Sequence, residues 1–172
     1  DEGFTLQEIW DVFKTIQVPA LSVFNVYVVT IGVFPAVLVE IESISKCEGD
    51  EERFFNDLFI PFLFVLFNLG DFTGRTLAGA YEPLFGKNTI WIASLSRWIF
   101  VPFFVHCNIV DNKLANIFMS DFWPIFLVSL LGLSNGYVTS LSMMLGPSLV
   151  SPSKASVAST IMLRETREGP SI

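Results

Sequence analysis

Charge is scarce in this chain, and the residues of hydrolytic or metal chemistry are scarcer still. Of 172 residues, 16% are charged, one is histidine and two are cysteine. Soluble domains carry roughly 25% charged residues, so an ordinary water-soluble domain is disfavoured. His106 is the lone imidazole, no nucleophile has a histidine base, and no glycine loop of phosphate-cradling form appears. Cys47 and Cys107 make no metal-ligand or redox spacing, and pair as a disulfide only if they lie on the same side of a membrane. These gaps argue against an enzyme, a metal centre or a bound cofactor. The formal net charge of −7 argues against nucleic acid as a partner. There is no Asn-x-Ser/Thr sequon, and no signal peptide is visible at the acidic, amphipathic start of the sequence. The chain opens on Asp1 rather than methionine, which suggests the interior of something longer.

Apolar residues are abundant instead. They make up 52% of the chain, 18 of them phenylalanine, and the mean hydropathy is +0.57. The charges gather at the ends of long apolar segments. This pattern predicts an all-α polytopic membrane protein with the lipid bilayer as its solvent.

Residues 1–14 form an amphipathic leading segment. Leu6, Ile9, Trp10 and Phe13 share one apolar face, and Thr5 with Glu8 has the spacing of a capping box. It reads either as a short interfacial helix or as the amphipathic start of the next helix. Residues 15–162 then form a helical bundle. A first span is predicted over about 15–39, where no charge interrupts the run from Lys14 to Glu40. That is ample for roughly 30 Å of hydrocarbon. An acidic loop follows. A second span covers about 59–81, a third about 88–107, and a fourth about 122–146, with Pro147 and Pro152 at its exit. A further apolar start at ASVASTIML stops at Arg164 after too few residues to cross, and 163–172 is a polar tail. The expectation is thus four spans and an aborted fifth. Lys14, Lys87 and Lys154 fall on one side, and Lys46, Arg53 and Lys113 on the other, a bias too small to orient the chain alone.

The second span carries the most informative pattern. Phe64, Asn68, Asp71 and Arg75 recur at i, i+4, i+7 and i+11, which places a ring, an amide, a carboxylate and a guanidinium on one stripe. A charge at mid-bilayer costs about 2.5–3.5 kcal/mol on insertion scales, so such residues face a partner or a watery path. Asp71 and Arg75 partly neutralise each other as an i, i+4 pair. Arg75 is a fork of donors suited to hydroxyls or carbonyl oxygens of a polar solute. A structural ion pair tying helices together is the other reading. Phe64 can stack on the flat ring of such a solute or simply pack.

Three further positions stand out. Arg97 is a lone charge in the third span with no partner at i±3 or i±4; Asp71, across helices, or a residue outside this chain would complement it. It reads as a structural intramembrane charge rather than a solute ligand. Asn135, Thr139, Ser142 and Gly146 share one face of the fourth span, where small and polar residues favour helix packing. Asn135 can also line a cavity. Phe34 with Pro35 marks a proline bend with a packed ring.

Four motifs, in order, resemble the equilibrative nucleoside transporter family. VTIGVFPAVLVEI, with Thr30, Gly32, Phe34, Pro35 and Ala36, is similar to that family's seventh helix. FNLGDFTGRTL is similar to its eighth, SRWIFVPFFVHCN to its ninth, and LSNGYVTSLSMMLGP to its tenth. The resemblance covers roughly residues 15–162. It implies a major-facilitator-like carrier of eleven membrane helices, of which this chain holds helices seven to ten and the start of eleven, within the C-terminal half. It implies a nucleoside or nucleobase as solute, contacted or gated by Phe34, Phe64, Asn68, Asp71, Arg75 and Asn135. It implies a plasma membrane, with internal membranes open, and puts Lys14, Lys87 and Lys154 in the cytosol. Partners implied are an N-terminal half or a full-length relative. The alternative is a non-transporting four-helix membrane protein that acts as an interaction partner, or a non-functional remnant.

Overall fold

The computed structural model describes residues 5–41, 43, 58–81, 83–106 and 120–167. Most of the acidic loop, both cysteines and the end of the polar tail lie outside the described residues. Among the described residues there is no β-strand. The helices are α1 (Leu6–Val33), α2 (Phe59–Ala80), α3 (Ile90–Ser96), α4 (Phe100–Val105), α5 (Phe122–Ser148) and α6 (Ala155–Arg167).

The leading segment and the first apolar run form one continuous helix, 28 residues long. Its start is the capping box the sequence suggested. Glu8 N donates to Thr5 Oγ1 at 3.4 Å, and Thr5 N donates to the Glu8 carboxylate at 3.0 Å. Two otherwise orphaned donors are thereby satisfied. Pro19 lies inside α1 without ending it. The helix stops at Val33, short of the predicted boundary at 39. The physical reason is Pro35, whose ring drives Phe34 out of the helical region to φ −116°, ψ 121°. A 3-10 turn at Leu38–Glu40 follows.

The third apolar run is not one helix either. A 3-10 turn, Arg97–Ile99, separates α3 from α4. Pro102 accounts for it, since it has no N–H for the Trp98 carbonyl and its ring crowds that group. The chain therefore tightens just where Arg97 turns inward. The polar tail begins helically, with α6 running on to Arg167.

Among the described residues, two segments, Gln7–Glu40 and Phe122–Ser148, are long and apolar enough to cross a membrane, and Ile90–Val105 is apolar but shorter. Helix α2 has 22 residues, among them Asn68, Asp71 and Arg75.

Helix α5 is the central post, packed against α1, α2, α3, α4 and α6. Its closest neighbour is α2, and glycines set that distance. A β-carbon on Gly74 would overlap the Leu133 carbonyl oxygen. One on Gly132 would overlap the Phe67 carbonyl, and one on Gly136 the Asp71 carbonyl. A β-carbon on Gly70 would come to 3.0 Å from Leu133 N, tight but short of those overlaps. The two helices thus meet backbone to backbone through paired G-x-x-x-G runs, Gly70/Gly74 and Gly132/Gly136, a geometry that rewards small residues in membranes. Apolar clusters flank this seam. Phe59, Leu63 and Phe67 join Leu127, Val128, Leu131 and Phe104 in one. Val12, Ile16, Ala20 and Val23 of α1 meet Ala158 and Met162 of α6 in another.

Candidate functional site

The α2–α5 seam brings polar side chains of four segments into one chain of hydrogen bonds. Asp71 and Arg75 are one helical turn apart on α2, and Arg75 Nε donates to Asp71 Oδ2 at 2.7 Å. The other carboxylate oxygen, Oδ1, accepts from Asn135 Nδ2 at 2.7 Å. Asn135 reaches it because Gly136, the next residue on α5, allows the helices to touch. The amide oxygen of Asn135 lies 2.7 Å from Thr30 Oγ1 of α1 and 3.4 Å from Arg97 Nη2. Arg97 Nη2 also donates to Thr30 Oγ1 at 2.8 Å. Its Nη1 donates to Ser134 Oγ at 2.7 Å and to the Leu131 carbonyl at 3.4 Å.

The two ends of this chain differ in access. Arg97 is 1% exposed. Asp71 is mostly covered, at 18%, whereas the Arg75 side chain is 46% exposed. The accessible end therefore presents a guanidinium whose Nε is already committed to a fixed carboxylate. The Tyr27 hydroxyl of α1 lies beside that guanidinium. Such an arrangement suits a neutral polar solute that both donates and accepts.

Aromatic rings gather one to two turns away. The Phe34 ring stacks on Phe67, with centroids 4.1 Å apart, and tilts against Phe64 at 4.6 Å. Phe67 is buried, while Phe34 and Phe64 are half-buried. The extended backbone at Phe34 carries this ring off the end of α1 and onto α2. Asn68, although on the stripe, donates instead to the Phe64 carbonyl of its own helix at 2.7 Å and stays exposed.

The structure thus joins Asp71, Arg75 and Asn135 directly, and joins Phe34 to Phe64. It leaves Asn68 outside the hydrogen-bonded chain. Arg97 reaches Asp71 only through the Asn135 amide, and its immediate partners are the oxygens of Thr30, Ser134, Asn135 and Leu131. Thr30, Ser134, Tyr27 and Phe67 were not singled out as site residues from the sequence. Their signal there was weak: a hydroxyl in a charge-free span, a serine beside Asn135, and two aromatics among many. Asn25 was also missed. It donates to the Ser94 carbonyl and Oγ, both at 2.9 Å, and accepts from Trp98 Nε1 at 2.9 Å, locking α1 to the third segment.

Thr139 and Ser142, further along the Asn135 face, are buried with no side-chain hydrogen bond among the described residues. A cavity of about 600 Å³ lies on the other flank of α5. Leu77, Phe100, Leu133 and Tyr137 wall it, with Arg97 and Ser134 at its polar edge, and Asp71, Arg75 and Asn135 take no part in its lining. It is separate from the face on which Arg75 is exposed. No group of three or more metal-ligating side chains occurs among the described residues.

The family model described as nucleoside transporter matches residues 1–164. Equilibrative nucleoside transporter 1 of Homo sapiens is 40% identical over 156 residues, covering 88% of this chain and 33% of that protein. Equilibrative nucleoside transporter 2 of Rattus norvegicus is 34% identical over 153 residues, again 88% of this chain and 33% of the relative. A more distant match, equilibrative nucleotide transporter 8 of Arabidopsis thaliana, is 28% identical over 155 residues, 90% of this chain and 36% of that protein. The chain spans about a third of the length of these relatives.

Proposed function

This chain belongs to the nucleoside transporter family, and from that premise we propose that it supplies four membrane spans of a carrier that moves nucleosides by alternating access. The spans are those drawn over residues 15–39, 59–81, 88–107 and 122–146, followed by the start of a fifth. They correspond to helices seven to ten and the beginning of eleven in a major-facilitator-like arrangement. An N-terminal half completes the cavity, and the carrier resides in the plasma membrane.

One observation carries the reading. The half-exposed Arg75 is paired with a carboxylate that a second helix holds in place, within a segment otherwise suited to lipid. A charge pair that is only partly covered inside a membrane calls for water, solute or a further helix of the carrier on its open side. Arg75 offers donors to ribose hydroxyls or base carbonyl oxygens. Asp71, held by Arg75 and Asn135, has acceptor capacity left for a hydroxyl. Phe34 and Phe64 supply apolar faces for the flat base. No bond of the solute is made or broken. The carrier needs only a site weak enough to release, opened to one side at a time.

Uptake of radiolabelled nucleoside into vesicles holding the carrier that contains this segment tests the reading, with Arg75→Ala as the control. Saturable uptake that is lost in the variant supports it. Equal uptake in both removes Arg75 from the site. No uptake from properly inserted protein favours a helical membrane protein that does not transport.

A further inference from the structure

We propose that Arg97 is a positioning residue for the Asp71–Arg75 site and acts through the Asn135 amide; the inference rests on the transport reading above. Arg97 is 1% exposed and borders the cavity that Asp71, Arg75 and Asn135 do not line, so its effect on a solute at the Arg75 face has to pass through its neighbours. Those neighbours come from α1 and α5, and each presents an oxygen: Thr30 Oγ1, Ser134 Oγ, the Leu131 carbonyl and Asn135 Oδ1.

The Asn135 contact carries the argument. An amide has one end that accepts and one end that donates. Here the accepting end meets the Thr30 hydroxyl and the Arg97 guanidinium, and the donating end meets the Asp71 carboxylate. Turning the amide over would set its N–H groups against the guanidinium and its oxygen against the carboxylate. Both new pairings are of like polarity. Arg97 therefore fixes which way Asn135 points, and Asn135 in turn holds Asp71 Oδ1. With Oδ1 held, Oδ2 stays on Arg75 Nε, and the terminal nitrogens of Arg75 are the part of the fork left for a solute.

The glycine seam makes this relay rigid. Gly136 and Gly74 let α2 lie directly against α5, so Asn135 and Asp71 sit on backbones in contact. The 3-10 turn at Arg97–Ile99 is the third fixed element, since it carries the guanidinium in between α1 and α5. Removing Arg97 frees the amide to rotate, loosens the carboxylate, and turns a preorganised site into one that the solute must order for itself.

The test is a cycle of solute KM and maximal uptake rate in the same carrier. Arg97→Gln and Thr30→Val are each made in the natural background and in Asn135→Ser, which breaks the relay but keeps the Asp71–Arg75 pair. The expected result is a rise in KM of about tenfold for Arg97→Gln and about threefold for Thr30→Val, each shrinking to within about twofold in the Asn135→Ser background. Arg97→Lys, which keeps the charge but not the planar fork, falls between the natural protein and Arg97→Gln. If Arg97 only props the bundle, the amount of inserted protein and the maximal rate fall while KM holds, in both backgrounds, and the proposal is overturned. Equal fold-rises of KM in both backgrounds overturn it as well. Should Arg97→Gln fail to reach the membrane, the Thr30→Val cycle decides by the same criterion. Absence of uptake in the natural protein defeats the transport reading and this inference with it, whereas normal uptake with independent effects defeats the inference alone.

Discussion

Gly136 on α5 lies against the main-chain carbonyl of Asp71 on α2, so closely that no β-carbon fits between them. The same contact that joins the two helices also sets the height of the Asp71 carboxylate relative to Asn135. Packing and site geometry are one problem at this seam.

Gly136→Ala forces α2 and α5 apart, and the obstructing atom is backbone rather than a flexible side-chain tip. Overpacking of this kind costs about 1–3 kcal/mol. A lower thermal midpoint of the detergent-solubilised protein and weaker nucleoside uptake are expected. Gly79, on the same helix with open space around it, is the comparison. Gly79→Ala leaves the midpoint unchanged or slightly higher, because alanine favours a helix over glycine. A Gly136→Ala protein as stable and active as the natural one would show that the seam is not tight.

Arg75→Ala separates function from stability. The Arg75 side chain is 46% exposed and its Asp71 partner 18%; a half-exposed pair contributes about 1 kcal/mol, and Asp71 keeps its Asn135 hydrogen bond when Arg75 is removed. The thermal midpoint is expected to move little, while uptake falls by at least about tenfold, the effect of roughly 1.4 kcal/mol of lost solute interaction. A large fall in the midpoint with uptake per inserted molecule preserved would make the pair structural.

Phe64 and Phe67 are expected to divide by role. Phe64→Leu keeps the apolar bulk of a half-buried position but removes the ring. A several-fold rise in nucleoside KM is expected, since stacking on a base is worth about 1–3 kcal/mol. Phe67 is 7% exposed and stacked beneath Phe34, so Phe67→Ala costs about 3–5 kcal/mol of stability. Uptake kinetics read against melting curves check the division. If Phe64→Leu alters stability and leaves KM alone, Phe64 packs rather than stacks.

Asn25→Leu removes the tie between α1 and the third segment. Its amide bonds Ser94 and Trp98 across helices, and interhelical hydrogen bonds in membranes average about 0.6 kcal/mol. A modest fall in the thermal midpoint is expected. The Trp98 indole also loses its acceptor, so the emission difference between this variant and one that also carries Trp98→Phe should shift. An unshifted Trp98 contribution would place the indole in another environment.

The parts of the site that a reader of the chain could see are those one helix makes alone. Asp71 and Arg75 are neighbours because a helix turns once in 3.6 residues, and the two lie four apart. Thr5 and Glu8 form their capping box for the same local reason. The stop after Val33 has a local component, since Pro35 disfavours helix at Phe34, although Pro19 is carried within α1. The same periodicity misled at Asn68, which lies on the stripe yet bonds back to the Phe64 carbonyl. A stripe says which side chains can meet, not which way each one turns. The third segment misled too. Its apolar run is unbroken apart from Arg97, but Pro102 converts its middle to a 3-10 turn.

Composition and the order of apolar runs determined a helical membrane chain, its family likeness, and a charged pair on the second helix, because each rests on local spacing or on the solvent the residues require. Tertiary structure alone decided what balances Arg97. Its partners Thr30 and Asn135 stand 67 and 38 positions away along the chain, and only the close approach of α5 to its neighbours brings them within hydrogen-bonding distance. The direction of the Asn135 amide was settled there as well, since an amide takes its orientation from the charges it lies between, and those charges belong to other helices.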